Sequence, residues 1–108
     1  MSNERIMRVT VRGRFGDLTP RASEYLRANQ PDHDVSNSAY TPDGTLTYDT
    51  VIDYFSLRYE IRVGADDPDG MAADRGVEEA GRFLRAMGFD HRPLKVPVTD
   101  GAAAWSRP

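Results

Sequence analysis

The chain has 108 residues, a net charge of −3 and no cysteine; 39% of its residues are hydrophobic and 29% charged. Without cysteine, disulfides, thiolate nucleophiles and cysteine-ligated metal sites are excluded, and the acidic balance argues against a nucleic-acid partner. One domain over residues 1–108 is expected, with a core of about 5–99 and a tail over 100–108. No apolar run approaches the ~18 residues of a membrane span and no secretory signal opens the chain, so we expect a cytoplasmic protein without a membrane contact.

Local patterns mark the first strand and the first helix. Apolar and polar residues alternate from Ile6 to Phe15, which predicts a strand with one buried face. A helix is predicted to begin at Thr19-Pro20, because threonine can accept a first-turn hydrogen bond and proline suits the first helical position. Pro31 is expected to end this helix. Its apolar stripe would consist of Ala22, Tyr25 and Leu26.

Two candidate turns interrupt the middle of the chain. Residues 35–48 alternate in polarity, and Thr41-Pro42-Asp43-Gly44 divides them with residues that β-turns prefer. Asp49–Asp53 is the second candidate turn. A split βαβ fold allows one reversal between its helices, unless a short extra strand is present. We expect the reversal at Pro42-Asp43 and an irregular break at Asp49–Asp53.

The longest strand and the second helix have the clearest patterns. Tyr54–Val63 predicts a strand with five apolar or aromatic residues on one face. A helix over about Asp69–Met87 is predicted next, with Gly88 as its left-handed C-cap. Leu94–Val98 is expected to be the last strand. The apolar stripe of the second helix would consist of Ala73, Val77, Ala80, Leu84 and Met87.

The predicted order is strand, helix, two strands, helix, strand. This order is typical of an α+β, ferredoxin-like β-α-β-β-α-β fold, in which an antiparallel sheet carries two helices on one face. The other face has no helices, and here it would collect polar residues. That outer face is where a function is expected.

The outer face offers residues suited to an anionic or planar ligand. Arg12 and Arg58 could hold a carboxylate or phosphate, and Tyr40 and Tyr54 could stack a planar group. A solvated face is one alternative, and pairing with a second copy into a homodimer is the favoured one. RNA-recognition modules share this topology, but the chain lacks their aromatic motif, so RNA is not expected.

His33 and His91 are the only histidines, and each neighbours an aspartate. Either could act as a general base near neutral pH. Both precede strands that run parallel in this fold, so the two are expected at the same end of the sheet. Two solvated loop histidines are the simpler interpretation, and no metal site is expected because ligand spacing is lacking. No cofactor is expected either, since phosphate-loop and dinucleotide motifs are missing.

Three tyrosines and the only tryptophan complete the candidates. Tyr25, Tyr48 and Tyr59 fall on predicted inner faces, where such rings more often fill the core. Hydroxyls around a pocket could also orient a small hydrophobic or aromatic ligand. Trp105 lies in the tail and is a candidate for docking onto its own domain or a neighbouring subunit.

The segment Tyr40–Asp49, with the sequence Y-T-P-D-G-T-L-T-Y-D, resembles the signature of a family of small actinobacterial proteins of unknown function. Its motif is T-P-[DE]-G-T-L-T-Y-D, and members also resemble this chain over residues 7–15 and 98–105. The resemblance covers most of the chain and implies no activity. In architecture the chain is also similar to dimeric α+β barrel proteins, including small cofactor-free polyketide cyclases and monooxygenases, which is a likeness of fold alone.

Two functions are therefore expected as alternatives. The first is a ferredoxin-like homodimer that binds a small hydrophobic or aromatic molecule, as a cofactor-independent, cyclase- or monooxygenase-like enzyme of specialised metabolism if it is catalytic. Its site residues would be His33 or His91 as base, Tyr48 or Tyr59 as orienting hydroxyls, and Arg12 or Arg58 as anion clamp. The second is a non-catalytic interaction or accessory module that uses the outer face or Trp105.

Overall fold

The structure, a computed structural model, describes residues 4–33, 39–68 and 70–96. Its elements in chain order are β1 (Glu4–Arg14), α1 (Pro20–Ala28), a short 3-10 helix (Gln30–His33), β2 (Thr45–Tyr48), β3 (Tyr54–Gly64) and α2 (Gly70–Met87). The predicted α+β class is confirmed. The predicted strand residues 35–38 and the tail with Trp105 lie outside the described residues.

β3 is the central strand of an antiparallel sheet with the order β1-β3-β2. Val9 lies opposite Tyr59, and Leu46 lies opposite Leu57. Opposed residues point to the same face of a sheet, so the three strands bury one common face. The predicted inner faces of β1 and β3 are confirmed. Their buried residues are Met7, Val9, Val11, Phe55, Leu57, Tyr59, Ile61 and Val63.

The segment after α2 runs antiparallel along β1. The Arg12 N–H donates to the Lys95 carbonyl at 2.7 Å, and the Lys95 N–H donates back at 2.8 Å. Phe15 and His91 form a second bridge. Leu94 packs against the core. The predicted last strand is thus represented by isolated bridges, and Pro97 and Val98 lie outside the described residues.

The predicted irregular break at Asp49–Asp53 is wrong, because this segment is the turn of a hairpin. β2 and β3 are joined by Asp49–Asp53, where the Asp49 carboxylate accepts the Asp53 N–H at 2.8 Å and Ile52 has a φ of 55°. Pro42-Asp43 also forms a turn, but this turn precedes β2. Thr41 pairs with Tyr59 in the parallel direction before it, so an additional short pairing accommodates both reversals.

Both helices begin near their predicted positions, but their buried faces differ from the prediction. Thr19 caps α1 by accepting the Ala22 N–H at 3.1 Å, whereas Tyr25 is 43% exposed and is not part of the core. In α2 the predicted stripe is shifted by one position over its first half. The residues buried there are Ala72, Gly76, Ala80, Gly81 and Leu84. α1 ends at Ala28 and a 3-10 helix containing Pro31 follows, so the helix ends earlier than expected.

The shift of the stripe has a steric cause. A Cβ added at Gly76 would lie 2.7 Å from Cγ1 of Val9, so α2 approaches β1 most closely at a residue that has no side chain. Val77 and Ala73 consequently lie beside the contact and are only partly buried. Gly88 has a φ of 71°, which confirms the left-handed position after α2.

Candidate functional site

The outer sheet face contains two adjoining hollows near the end of β1 and the start of β3. The first has a volume of about 640 Å³ and the second about 490 Å³. Both are lined by Arg12, Gly13 and Tyr54. We call the combined depression the outer-face cleft. Its other lining residues are Arg14, Thr47, Tyr48, Asp49, Thr50, Phe55, Ser56, Arg58, Arg92, Pro93 and Lys95.

Strand register brings these residues together from distant parts of the chain. Arg12 lies opposite Ser56, and Ser56 lies opposite Thr47. On the other side of β1, Arg12 is bridged to Lys95. The four residues therefore form one row across the sheet. Arg58 stands in the next row, opposite Thr45 and Thr10.

The cleft concentrates positive charge in an acidic chain. Among the described residues that line it, five are cationic and one, Asp49, is a carboxylate. Arg14 is ion-paired with Asp53 at 2.8 Å, and this hydrogen bond and charge raise the pKa of Arg14. The remaining cations give the cleft a potential opposite in sign to the net charge of −3, which favours an anionic ligand.

Two arginines of the cleft differ in how they are held. Arg58 donates from Nη1 to the hydroxyl of Thr47 at 2.8 Å, and Thr47 is buried. This bond fixes the direction of the Arg58 guanidinium. Within the described part of the chain, the exposed Arg12 side chain makes no hydrogen bond or ion pair. Arg12 therefore keeps its full set of donors for a ligand.

Tyr54 provides an aromatic surface beside these cations. The Arg14 guanidinium carbon lies 5.4 Å from the centroid of the Tyr54 ring, a distance typical of a cation–π contact. Arg14 in turn is held by Asp53. Tyr54 is nevertheless 58% exposed, so part of the ring surface remains accessible to a ligand.

Tyr40 lies on the outer face but is not among the lining residues of the cleft. Its hydroxyl is 2.8 Å from the Thr10 hydroxyl, and the Arg8 guanidinium carbon is 5.6 Å from its ring centroid. Tyr40 covers the neighbouring strip of the sheet. The structure does not bring it together with Arg12 and Arg58 in one pocket.

Tyr48 and Tyr59 belong to the core. The Tyr48 hydroxyl donates to the Leu26 carbonyl and lies 2.9 Å from Nδ1 of His33. Burial raises the pKa of Tyr48 and of Tyr59 to about 12. Tyr48 also borders the first hollow, but its hydroxyl is committed to Leu26. Tyr59 is 2% exposed and packs beneath Gly44.

The two histidines lie at the expected same end of the sheet, but apart from the cleft lining. His33 contacts Tyr48 at the end of β2, and His91 is bridged to Phe15 after the end of β1. The Tyr48 and Phe15 rings lie between them, with centroids 6.1 Å apart. Nδ1 of His91 donates to the Arg92 carbonyl at 2.7 Å. No group of three potential metal ligands occurs among the described residues.

Sequence patterns did not point to part of this cleft. The sequence assigns no role to Arg14 or Arg92, and it predicts Thr47 only as a strand residue. The backbone bond from the Arg92 N–H to the Arg14 carbonyl, 2.8 Å long, brings these two cations together. That pairing depends on the register of the last segment against β1, which no local pattern encodes.

Comparison with known proteins identifies a family but no activity. In the described residues, no helix combines the length and the apolar character needed to cross a membrane. No curated protein and no solved structure matches this chain. A family model described as a family of unknown function (DUF6204) matches residues 1–105. The actinobacterial origin and the motif at 40–49 stay predictions. The chain belongs to the DUF6204 family, and the expected membership in a family of unknown function is confirmed.

Proposed function

We propose that this protein binds a small organic anion in the outer-face cleft. The observation that carries the proposal is the concentration of cationic side chains around one depression in a chain with a net charge of −3. Arg12, which has no side-chain partner in the described part of the chain, is its central residue. Binding is the proposed activity, and no reaction is assigned.

The arrangement suits a carboxylate or a phosphate. Arg58 is oriented by Thr47, and Arg12 lies one row away on the neighbouring strand. Two guanidinium groups can share the oxygens of one anion through charge-assisted, bidentate hydrogen bonds. Lys95, bridged to Arg12 on its other side, adds a third positive charge.

The bridges from Lys95 to Arg12 and from His91 to Phe15 support a fourth strand beside β1, which would complete the ferredoxin-like order. The segment that carries them forms one wall of the cleft, because Arg92, Pro93 and Lys95 line the second hollow. A substitution that loosens the last segment is therefore expected to weaken ligand binding.

A cofactor-independent enzyme is the more specific form of this function. Neither His33 nor His91 is among the residues that line the cleft, so a general base there has no support from geometry. The roles of His33 and His91 as bases stay predictions. A His91→Ala variant is expected to bind the anion as the wild type does.

The experiment that tests the proposal is isothermal titration calorimetry at low ionic strength with benzoate and with inorganic phosphate. Arg12→Gln and Arg58→Gln should each weaken binding about tenfold, since each removes charge-assisted hydrogen bonds. Arg21→Gln is the matched control, because Arg21 is an exposed arginine on α1, away from the cleft lining. The proposal would be contradicted if neither benzoate nor phosphate bound saturably. It would also be contradicted if Arg21→Gln lost as much affinity as the two cleft variants.

A positioning residue offers a second test. Thr47→Val keeps the size of a buried side chain but removes the acceptor for Arg58. We expect affinity to fall about threefold to tenfold, because Arg58 keeps its charge and loses its orientation. Thr45→Val, a change of the same kind in the same strand, should have less effect.

The alternative, a protein-interaction module, is favoured by one observation. Val51, in the turn before β3, is 75% exposed, and Tyr54, the first residue of β3, is 58% exposed. A second copy or another protein that covered these residues would bury apolar surface. Light scattering of the wild type and of Val51→Ser tests this alternative. A dimer that the substitution dissociates would support self-association here, whereas a wild-type monomer would remove the homodimer from the account.

A further inference from the structure

We infer that the ligand of the outer-face cleft is a planar aromatic acid, with its ring against Tyr54 and its anionic group at Arg12 and Arg58. This inference rests on the proposed function and adds the chemical class of the ligand. Its basis is the division of the cleft into two hollows with different linings. The two hollows meet at Arg12, Gly13 and Tyr54.

The first hollow supplies the groups that bind an anion. Arg58, Ser56 and Thr47 line it together with Arg12. Arg58 is held by Thr47, so its remaining donors have a fixed direction. A carboxylate placed here receives charge-assisted hydrogen bonds from two strands.

The second hollow supplies flat surfaces and further positive charge. Pro93 and Gly13 line it together with the Tyr54 ring, and its cations are Arg12, Arg14, Arg92 and Lys95. The charge of Arg14 is paired with Asp53, and its guanidinium contacts the Tyr54 ring. Arg14 therefore helps to orient the ring and is less available than Arg12 to bind an anion. A planar group entering this hollow can pack against an aromatic face that is already oriented.

A ligand that spans both hollows needs two parts, an anionic group and a planar ring. Volumes of about 640 Å³ and 490 Å³ are ample for one ring with an attached acid group. A small inorganic anion would fill only the Arg12–Arg58 part. The geometry thus points to preference for a ring-bearing acid over an inorganic anion and over a non-planar acid of equal charge.

The experiment compares benzoate with cyclohexanecarboxylate by calorimetry, since both carry one carboxylate and only the first is planar. We expect benzoate to bind the wild type about fivefold more tightly, the size of an aromatic pair contribution. Tyr54→Leu should abolish that difference, and Tyr54→Phe should retain it. Tyr25→Leu, at a partly exposed tyrosine of α1, is the control and should bind as the wild type does.

The outcomes separate this inference from the proposed function. Equal affinity of the wild type for the two acids, or a preference that survives in Tyr54→Leu, would overturn the aromatic assignment and leave anion binding intact. Failure of benzoate, cyclohexanecarboxylate and inorganic phosphate alike to bind saturably would overturn both. The ratio of the wild-type affinities for benzoate and cyclohexanecarboxylate tests the inference even if a variant folds poorly.

Discussion

Gly44 shows how one residue determines the turn before β2. Its φ is 88°, and a Cβ there would collide with the Tyr59 ring. Gly88 also has a positive φ, 71°, but an added Cβ would meet nothing within 4 Å. Substitutions at the two glycines therefore distinguish backbone strain from steric overlap, since an added Cβ would meet both at Gly44 and only strain at Gly88.

We predict that Gly88→Ala lowers the free energy of unfolding by about 1 kcal/mol, the cost of a left-handed alanine. Gly44→Ala should cost about 3 kcal/mol, because overpacking against a buried ring adds to that strain. Urea denaturation followed by circular dichroism measures both values. Equal losses would show that Tyr59 does not pack beneath this turn.

His33 gives the fold a dependence on pH. Burial lowers the pKa of His33 below its ordinary value of 6.5, against a smaller opposite effect from the charge of Asp32. As pH falls, the unfolded chain therefore takes up this proton before the folded chain does. The contribution of His33 to stability is complete above pH 6.5 and is lost as pH falls towards the folded-state pKa.

We predict that wild-type protein loses more unfolding free energy between about pH 7.5 and about pH 5.5 than His33→Asn does. Asparagine retains a donor for the Tyr48 hydroxyl, so the comparison isolates the titration. Urea denaturation at the two pH values gives the difference. An identical pH dependence of the two proteins would remove His33 as its source.

Among the secondary-structure elements, the alternation of polar and apolar residues predicted the strands. The residue preferences of turns, in contrast, gave the wrong position for the turn of the β2–β3 hairpin. The alternation in Tyr54–Val63 defines a buried face, and β3 has that face. Pro42-Asp43-Gly44 has stronger turn residues than Asp49–Asp53, so it attracted the predicted reversal. The hairpin turn at Asp49–Asp53 instead depends on the Asp49 carboxylate and on Ile52 at a φ of 55°, a conformation that isoleucine rarely adopts.

Local sequence patterns likewise predict only part of the candidate site. Arg12 and Arg58 could be assigned to the outer face by period two alone, and both line the cleft. Arg92 could not be assigned to the cleft from the sequence, because its position depends on pairing between β1 and a distant segment. Tyr48 and Tyr59 could be assigned to the core or to a pocket, and only packing distinguishes these roles.

The approach of α2 to β1 leads to a prediction for two glycines of one helix. Gly76→Ala should lower the unfolding free energy by about 1–3 kcal/mol, because the new methyl group would overlap Val9. Gly81→Ala should raise it by up to about 1 kcal/mol, since alanine favours helix and would meet only the flexible end of Arg85. Thermal denaturation of both variants tests this. A loss in Gly81→Ala as large as in Gly76→Ala would contradict the observed face of α2.

At the scale of the whole molecule, charge is distributed unevenly. The chain has a net charge of −3, yet the part of the chain that the structure describes lines the outer-face cleft with five cations and one carboxylate. We predict that benzoate affinity falls several-fold between about 20 mM and about 200 mM NaCl, because salt screens exposed charges. Calorimetry at a series of salt concentrations measures the effect. An affinity independent of salt would indicate a site held by apolar contacts alone.

The most direct test of anion binding in the cleft is a ¹H–¹⁵N NMR titration of the labelled protein with benzoate. We predict saturable shifts of amide signals that cluster at Gly13, Thr47 and Ser56, and we expect Arg12→Gln to lose them. The contradictory result would be shifts that never saturate, or that cluster instead in the groove where Arg82 and Arg85 of α2 face His91.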